Sequence, residues 1–229
     1  MVYRLYKDDF SFPSPEQADD EFGGLLALGG GFEPERLLLA YSSGIFPWPV
    51  EESGLIPWFS PDPRFVLMSG DLHIPKSLVR VLKKRPYEIT VDRAFAEVIR
   101  GCRETFRPGQ EGTWITSRLI DGYCRLHRLG FAHSVEAWQG DTLVGGLYGV
   151  SIGKCFFGES MFSLRPDASK CAFATYAQKL FAAGTPWIDC QVYTDHLARF
   201  GAKEIPRSRY LEQLRDALGG VASSSVRGG

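Results

Sequence analysis

A chain of 229 residues, 44% apolar and 23% charged, has ample length for one large domain or two modest ones. Its formal net charge of −1 excludes a global basic field, so any nucleic-acid contact must come from a local patch. The five cysteines are scattered and form no CxxC, which speaks for reduced, buried thiols rather than disulfides or zinc. Residues 1–15 contain no apolar signal core, and no run reaches the roughly 18 apolar residues of a membrane span.

In chain order, residues 1–20 read as a loop-rich lead, followed by a glycine-bracketed strand within 21–31. Pro34 suits the first turn of a helix over Glu35–Ser43, with Gly44 as its cap. Ile45–Leu67 is dense in proline and aromatic residues and predicts a rigid loop, either a lid on a core or the wall of an apolar pocket. Ile74–Arg85 predicts a helix with Leu78, Val81 and Leu82 buried. Lys76, Arg80, Lys83 and Lys84 share its other face, a solvated stripe or a polyanion contact. A strand over Pro86–Thr90 follows, then a helix over Ala94–Arg103 capped by Asp92 and a polar loop over Thr105–Thr113. Thr116 or Ser117 caps a helix to Leu129. Then come a strand over Ala132–Trp138 and a hairpin of Thr142–Ser151 with Cys155–Met161. A helix over Ala168–Ala183, a strand over 187–192, a short helix, a strand over Lys203–Ile205 and a helix over Ser208–Leu218 complete the order, ahead of a short tail.

The candidate chemistry sits on the hairpin and the later strand. Gly145, Gly146 and Gly149 weaken a strand and suggest a close approach to its backbone. Glu159, among Phe156, Phe157 and Met161, is either a solvent-face residue or part of a site. Alternation places Asp189 and Gln191 on one face, away from Ile188, Cys190 and Val192. The element order from residue 86 onward suggests an α+β fold: an acetyltransferase-like, mixed and largely antiparallel sheet flanked by helices. The strand–helix junction SLRPDASK lacks the glycines that would close on a pyrophosphate, which speaks against acyl-CoA. No nucleophile elbow or Walker motif occurs, and His127 and His133 read as structural. A carboxylate–amide pair with aromatic walls suits aminolysis of an already activated acyl group.

The motifs GIFPW, SPDPR, GTW, GESMF, ASK and IDCQ, with LVGGLYGVSIGKCFF between them, stand in this order. Together they resemble the leucyl/phenylalanyl-tRNA–protein transferase family over roughly residues 12–214. The resemblance implies transfer of Leu or Phe from aminoacyl-tRNA to the α-amino group of a protein's N-terminal Arg or Lys, marking that protein for degradation. It implies the acetyltransferase-like catalytic domain at 63–229 behind a smaller N-terminal α/β domain at 1–62, and a cytoplasmic enzyme, a monomer away from the membrane, with no cofactor or metal. Carried over by motif, Asp189 and Gln191 match the catalytic pair whose relay helps deprotonate the amine, although another account gives the tRNA's own hydroxyls more of that work. Glu159 matches a site carboxylate suited to the cationic acceptor. Trp48 and Trp114, with Phe157 and Met161, match a slot for the donor side chain, and Lys76, Arg80, Lys83 and Lys84 match the tRNA-binding cluster. The chain departs from the family pattern at GGGF (29–32), where GGDL is usual, at Phe59 in place of a second Trp, and at Lys76 in place of Arg. The alternatives are an acyltransferase with another small acyl donor and an RNA-binding module whose site has decayed.

Overall fold

The structure, a computed structural model, describes residues 2–48, 54–105 and 113–222. The N-terminal part holds β1 (Tyr3–Leu5), β2 (Leu25–Gly29), α1 (Pro34–Ser42), β3 (Phe46–Pro47) and β4 (Pro57–Phe59). These strands form a four-stranded sheet in the order β1-β2-β4-β3, with β1 and β2 parallel. The remainder runs β5 (Arg64–Met68), α2 (Lys76–Lys84), β6 (Glu88–Val91), α3 (Phe95–Glu104), α4 (Ser117–Arg128), β7 (Ala132–Gln139), β8 (Thr142–Ile152) and β9 (Cys155–Ser163). It continues with α5 (Ala168–Ala182), β10 (Trp187–Gln191), α6 (Asp195–Ala198), β11 (Lys203–Ile205) and α7 (Arg207–Ala222). Its seven-stranded sheet has the order β11-β5-β10-β9-β8-β7-β6 and is antiparallel except between β9 and β10. The expected α+β class with a mixed, largely antiparallel sheet is therefore what the chain adopts.

Each face of the large sheet buries its own core. Phe156, Ile188 and Leu147 pack with Phe173 of α5 and Leu78 of α2 on one face. Phe157, Trp187 and Tyr148 pack on the other with Tyr41 of α1, Tyr123 of α4 and Tyr210 of α7, a core that continues to Leu26 and Trp58 of the small sheet.

Four local expectations are corrected. The lead over residues 1–20 contains β1, and the aromatic stretch contains β3, β4 and the start of β5, while its residues 49–53 lie outside the described ones. A run full of proline conceals strands because Pro47 lies on the edge strand β3 and Pro57 is the first residue of β4, positions where a missing N–H is tolerated. Asp92 does not cap α3: its carboxylate accepts from the Ser134 amide at 2.9 Å and pairs with His133 Nδ1 at 2.7 Å. The Ala94 amide at the helix start donates instead to the buried Glu136, at 3.2 Å. The hairpin glycines meet the protein itself: a methyl at Gly145 would lie 2.7 Å from Ala168 Cβ, and one at Gly149 2.3 Å from the Phe157 carbonyl oxygen. The expected loop at Thr105–Thr113 falls outside the described residues over 106–112, as does the tail over 223–229.

Candidate active site

The parallel pairing of β9 with β10 runs only through Ile188–Phe156 and Asp189–Phe157. Beyond that point both strands bulge. Tyr148 pairs with Ser160 and Gly149 with Gly158, so Glu159 is the extra residue in β9. Asp189 pairs with Val66 and Gln191 with Phe65, so Cys190 is the extra residue in β10, and Gln191 takes a φ of 64°. The two strands part here, and a cavity of about 790 Å³ opens between them. Leu147, Phe156, Met161, Phe173 and Ile188 line its apolar depth, while Trp48 and Trp114 line it with ring centroids 6.2 Å apart.

Asp189 borders the cavity yet has no exposed surface. Arg64 grips it with Nε to Oδ1 at 2.9 Å and Nη2 to Oδ2 at 2.6 Å. Tyr210 donates to Oδ2 at 2.8 Å, and the Gln191 amide donates to Oδ1 at 2.9 Å. Burial works against the Arg64 charge, but the Asp189 carboxylate outweighs it and holds the guanidinium more basic than usual. Asp189 is thus an anchor that fixes the left-handed turn at Gln191. The Gln191 side chain donates from Nε2 to Glu159 Oε1 at 2.6 Å. Tyr123 donates to Glu159 Oε2 at 3.1 Å and is itself hydrogen-bonded to the Tyr41 hydroxyl. Burial pushes the Glu159 carboxyl up to about 7, against the nearby Tyr41 and Tyr123 hydroxyls and the Gln191 side-chain amide, which favour its charged form.

This shift carries a stability consequence. The carboxyl holds its proton more tightly in the folded chain than its ordinary value of about 4.3 allows when unfolded. Stability therefore falls as pH rises through the interval from about 4 to 7. Glu159→Gln removes that loss, so its thermal midpoint should exceed wild type at pH 8 and match it at pH 4. Equal midpoints at both pH values would mean that the carboxylate is well solvated.

Sequence reasoning brought together Glu159, Gln191, Trp48, Trp114 and Met161, all of which line the cavity. Phe157 does not line it: it is fully buried on the opposite face of β9, against Tyr41 and Trp187. Its neighbour Phe156 takes the expected place, because side chains alternate up to the bulge. Lys76, Arg80, Lys83 and Lys84 lie exposed along α2, away from the cavity wall but on the helix packed against α5. Arg64, Tyr41, Tyr123 and Tyr210 were missed. SPDPR carries Arg64 in plain view, but nothing in a sequence tells a buried arginine from an exposed one.

An apolar cavity where a mixed sheet parts, with an amide-held carboxylate in its wall, gives this α+β chain a site suited to acyl transfer. The model of the "Leucyl/phenylalanyl-tRNA protein transferase" family matches residues 66–215, and that of the family's N-terminal domain matches 30–62. The leucyl/phenylalanyl-tRNA–protein transferase of Anaeromyxobacter sp. strain K is 56% identical over 95% of this chain and 91% of its own. That of Myxococcus xanthus is 54% identical over 90% and 87%. A solved structure of a GCN5-related N-acetyltransferase from Kribbella flavida has a TM-score of 0.34 and 12% identity over 78% of this chain and 63% of its own. The chain belongs to the leucyl/phenylalanyl-tRNA–protein transferase family.

Proposed function

We propose that the cavity between β9 and β10 receives the Leu or Phe side chain of an aminoacyl-tRNA, and that the ester carbon is then attacked by the α-amine of a protein with an N-terminal Arg or Lys. The observation that carries this reading is the pairing of an apolar depth, Leu147, Phe156, Met161, Phe173 and Ile188, with the polar pair Glu159–Gln191 in the same wall. An apolar side chain gains from leaving water there. A polar one loses its hydrogen bonds, so the site rejects it, while it separates Leu from Phe poorly. The ester is already activated, so positioning and proton transfer supply most of what the reaction needs. Trp48 and Trp114 frame the donor end, and α2 carries the tRNA contact through Lys76, Arg80, Lys83 and Lys84. A division of the chain near residue 62 belongs to the same reading, with α1 and Trp48 of the first part closing the site of the second. So do a cytoplasmic setting and a monomeric state; no helix among the described residues is long and apolar enough to cross a membrane.

The test is transfer of labelled Leu or Phe from charged tRNA to a peptide beginning with Arg, beside one beginning with Ala. Label on the Arg peptide alone supports both donor and acceptor. Label on both peptides would remove the acceptor rule. No label on either, from protein that binds the tRNA, would remove the reaction.

A further inference from the structure

We propose that Glu159 takes the proton from the attacking α-amine, and that Tyr41 and Tyr123 are positioning residues that hold its carboxylate for that task. This deepens the transferase reading and rests on it.

Among the described residues three carboxylates border the cavity: Glu159, Asp167 and Asp189. Asp167 is bound to Lys170 Nζ at 2.6 Å. Asp189 is enclosed, and four donors occupy its two oxygens: Arg64 Nε and Nη2, the Tyr210 hydroxyl and the Gln191 amide. An incoming amine has no approach to it. Glu159 differs in both respects. It is half-buried on a bulge that turns it out of the regular alternation, and each of its oxygens accepts one described donor, leaving a lone pair on each.

The two tyrosines make sense only around this carboxylate. A hydroxyl has one hydrogen. Tyr123 gives its hydrogen to Glu159, so the bond between the two hydroxyls has Tyr41 as donor. A chain of donors, Tyr41 to Tyr123 to Glu159, therefore runs in from α1 and α4, and Gln191 closes from β10. Burial, and then the Glu159 charge, raise both phenols well above their ordinary value, so they stay protonated and act as donors throughout. The charged and titratable groups facing Glu159 are Tyr41 on α1, Tyr123 on α4 and Asp189 on β10, the last neutralised by Arg64 on β5. Burial against those donors leaves a base matched to an α-amine, whose own value is about 7.7–8.0.

The step balances. The amine nitrogen attacks the ester carbonyl carbon and a C–N bond forms. The proton on nitrogen passes to a Glu159 oxygen. The bond from carbon to the tRNA's terminal ribose oxygen breaks with its electron pair, and that oxygen recovers the proton from Glu159. The carboxylate is then ready for another turnover.

The experiment measures the rate of transfer at saturating Arg-peptide and charged tRNA from pH 5.5 to 9, for wild type, Glu159→Gln, Tyr123→Phe and Tyr41→Phe. The step starts from the neutral amine, so wild type should rise to a plateau through two ionisations, one near 7 that is the same for every peptide and one that follows the peptide's own α-amine. Glu159→Gln should lose about 100-fold or more in kcat and keep only the rise set by the peptide's own amine. Tyr123→Phe removes a donor to the charged form, so its rise should move to higher pH while the plateau remains largely intact. Tyr41→Phe should move it in the same direction. A Glu159→Gln enzyme with near wild-type kcat and a raised peptide KM would overturn the proposal, because Glu159 would then merely hold the acceptor. A wild-type rise that follows the peptide's own amine alone, with no peptide-independent ionisation, would overturn it without any variant. An unmoved profile in Tyr123→Phe would remove the tyrosines from the machinery. Absence of transfer by wild type would overturn the underlying reading together with this one, whereas transfer by wild type separates the two.

Discussion

Asp189→Ala is expected to destabilise the fold by about 3–5 kcal/mol and to abolish transfer. The cause lies in Arg64. Its guanidinium is almost wholly buried, donates twice to Asp189 and once to the Gly44 carbonyl, and lies over the rings of Phe46 and Tyr210 at 4.8 and 4.5 Å. Ring faces and one carbonyl do not replace a counter-ion, so removing the carboxylate leaves a buried charge unpaired. The same change frees the Gln191 amide, and a φ of 64° in a glutamine persists only where its surroundings impose it. Gln191 then loses its grip on Glu159. Chemical unfolding reads the first effect and peptide transfer the second. The double variant Arg64→Met/Asp189→Leu separates them. It should be less destabilised than either single variant, since no charge is left unpaired, yet remain inactive because nothing holds the turn at Gln191. An Asp189→Ala chain within about 1 kcal/mol of wild type would show that the pair is not the anchor of the site.

That arrangement marks where sequence reading stops. The helices of the second part were legible because each carries its own local signals: Leu78 set against Lys76, Arg80, Lys83 and Lys84 on α2, Thr116 accepting from the Leu119 amide at the start of α4, and Gly184 after α5. The hairpin of β8 and β9 was legible from alternation and a glycine turn. Alternation failed at the cavity. A bulge adds one residue without changing composition, so Glu159 and Cys190 shift the aim of their strands with no mark in the sequence. Asp189 and Gln191, two residues apart, read as sharing a face and a role. The bulge between them instead sends one carboxylate into the core and one amide to the cavity. Tyr41 and Tyr123 read as helix core residues, which they are by burial; their meeting across 82 positions is tertiary information. The aromatic stretch was read as loop because proline is counted against strands, whereas β3 and β4 are short segments of a small sheet in which a missing donor costs little.

Replacing Lys76, Arg80, Lys83 and Lys84 together by Gln is expected to weaken binding of charged tRNA by about three orders of magnitude near 0.1 M salt. All four side chains are exposed on α2, and none takes an acidic partner among the described residues. Their positions i, i+4, i+7 and i+8 form one stripe, opposite the buried Leu78. Four cations without carboxylates nearby are poorly explained by the stability of the helix, since like charges at such spacing repel. A phosphate backbone answers that repulsion. Each phosphate neutralised releases a counter-ion and contributes about 0.9 to the slope of log K against log salt on a duplex. Loss of four contacts should therefore make the slope shallower by roughly 3.6 and the affinity at low salt correspondingly lower. The apolar side of α2 is untouched, so the unfolding midpoint should stay within about 0.5 kcal/mol of wild type in energy terms. Transfer measured at saturating tRNA should also survive, because α2 packs against α5, whose Phe173 and Lys170 line the cavity, and itself contributes no described lining residue. Binding that keeps its wild-type affinity and salt slope in the folded variant would take the tRNA off this helix. Binding that weakens without a change of slope would mean that the stripe acts through shape rather than charge. A shallower slope with catalysis intact would separate the place where the tRNA is held from the place where its ester is opened, and would assign the first to α2 and the second to the parting of β9 and β10.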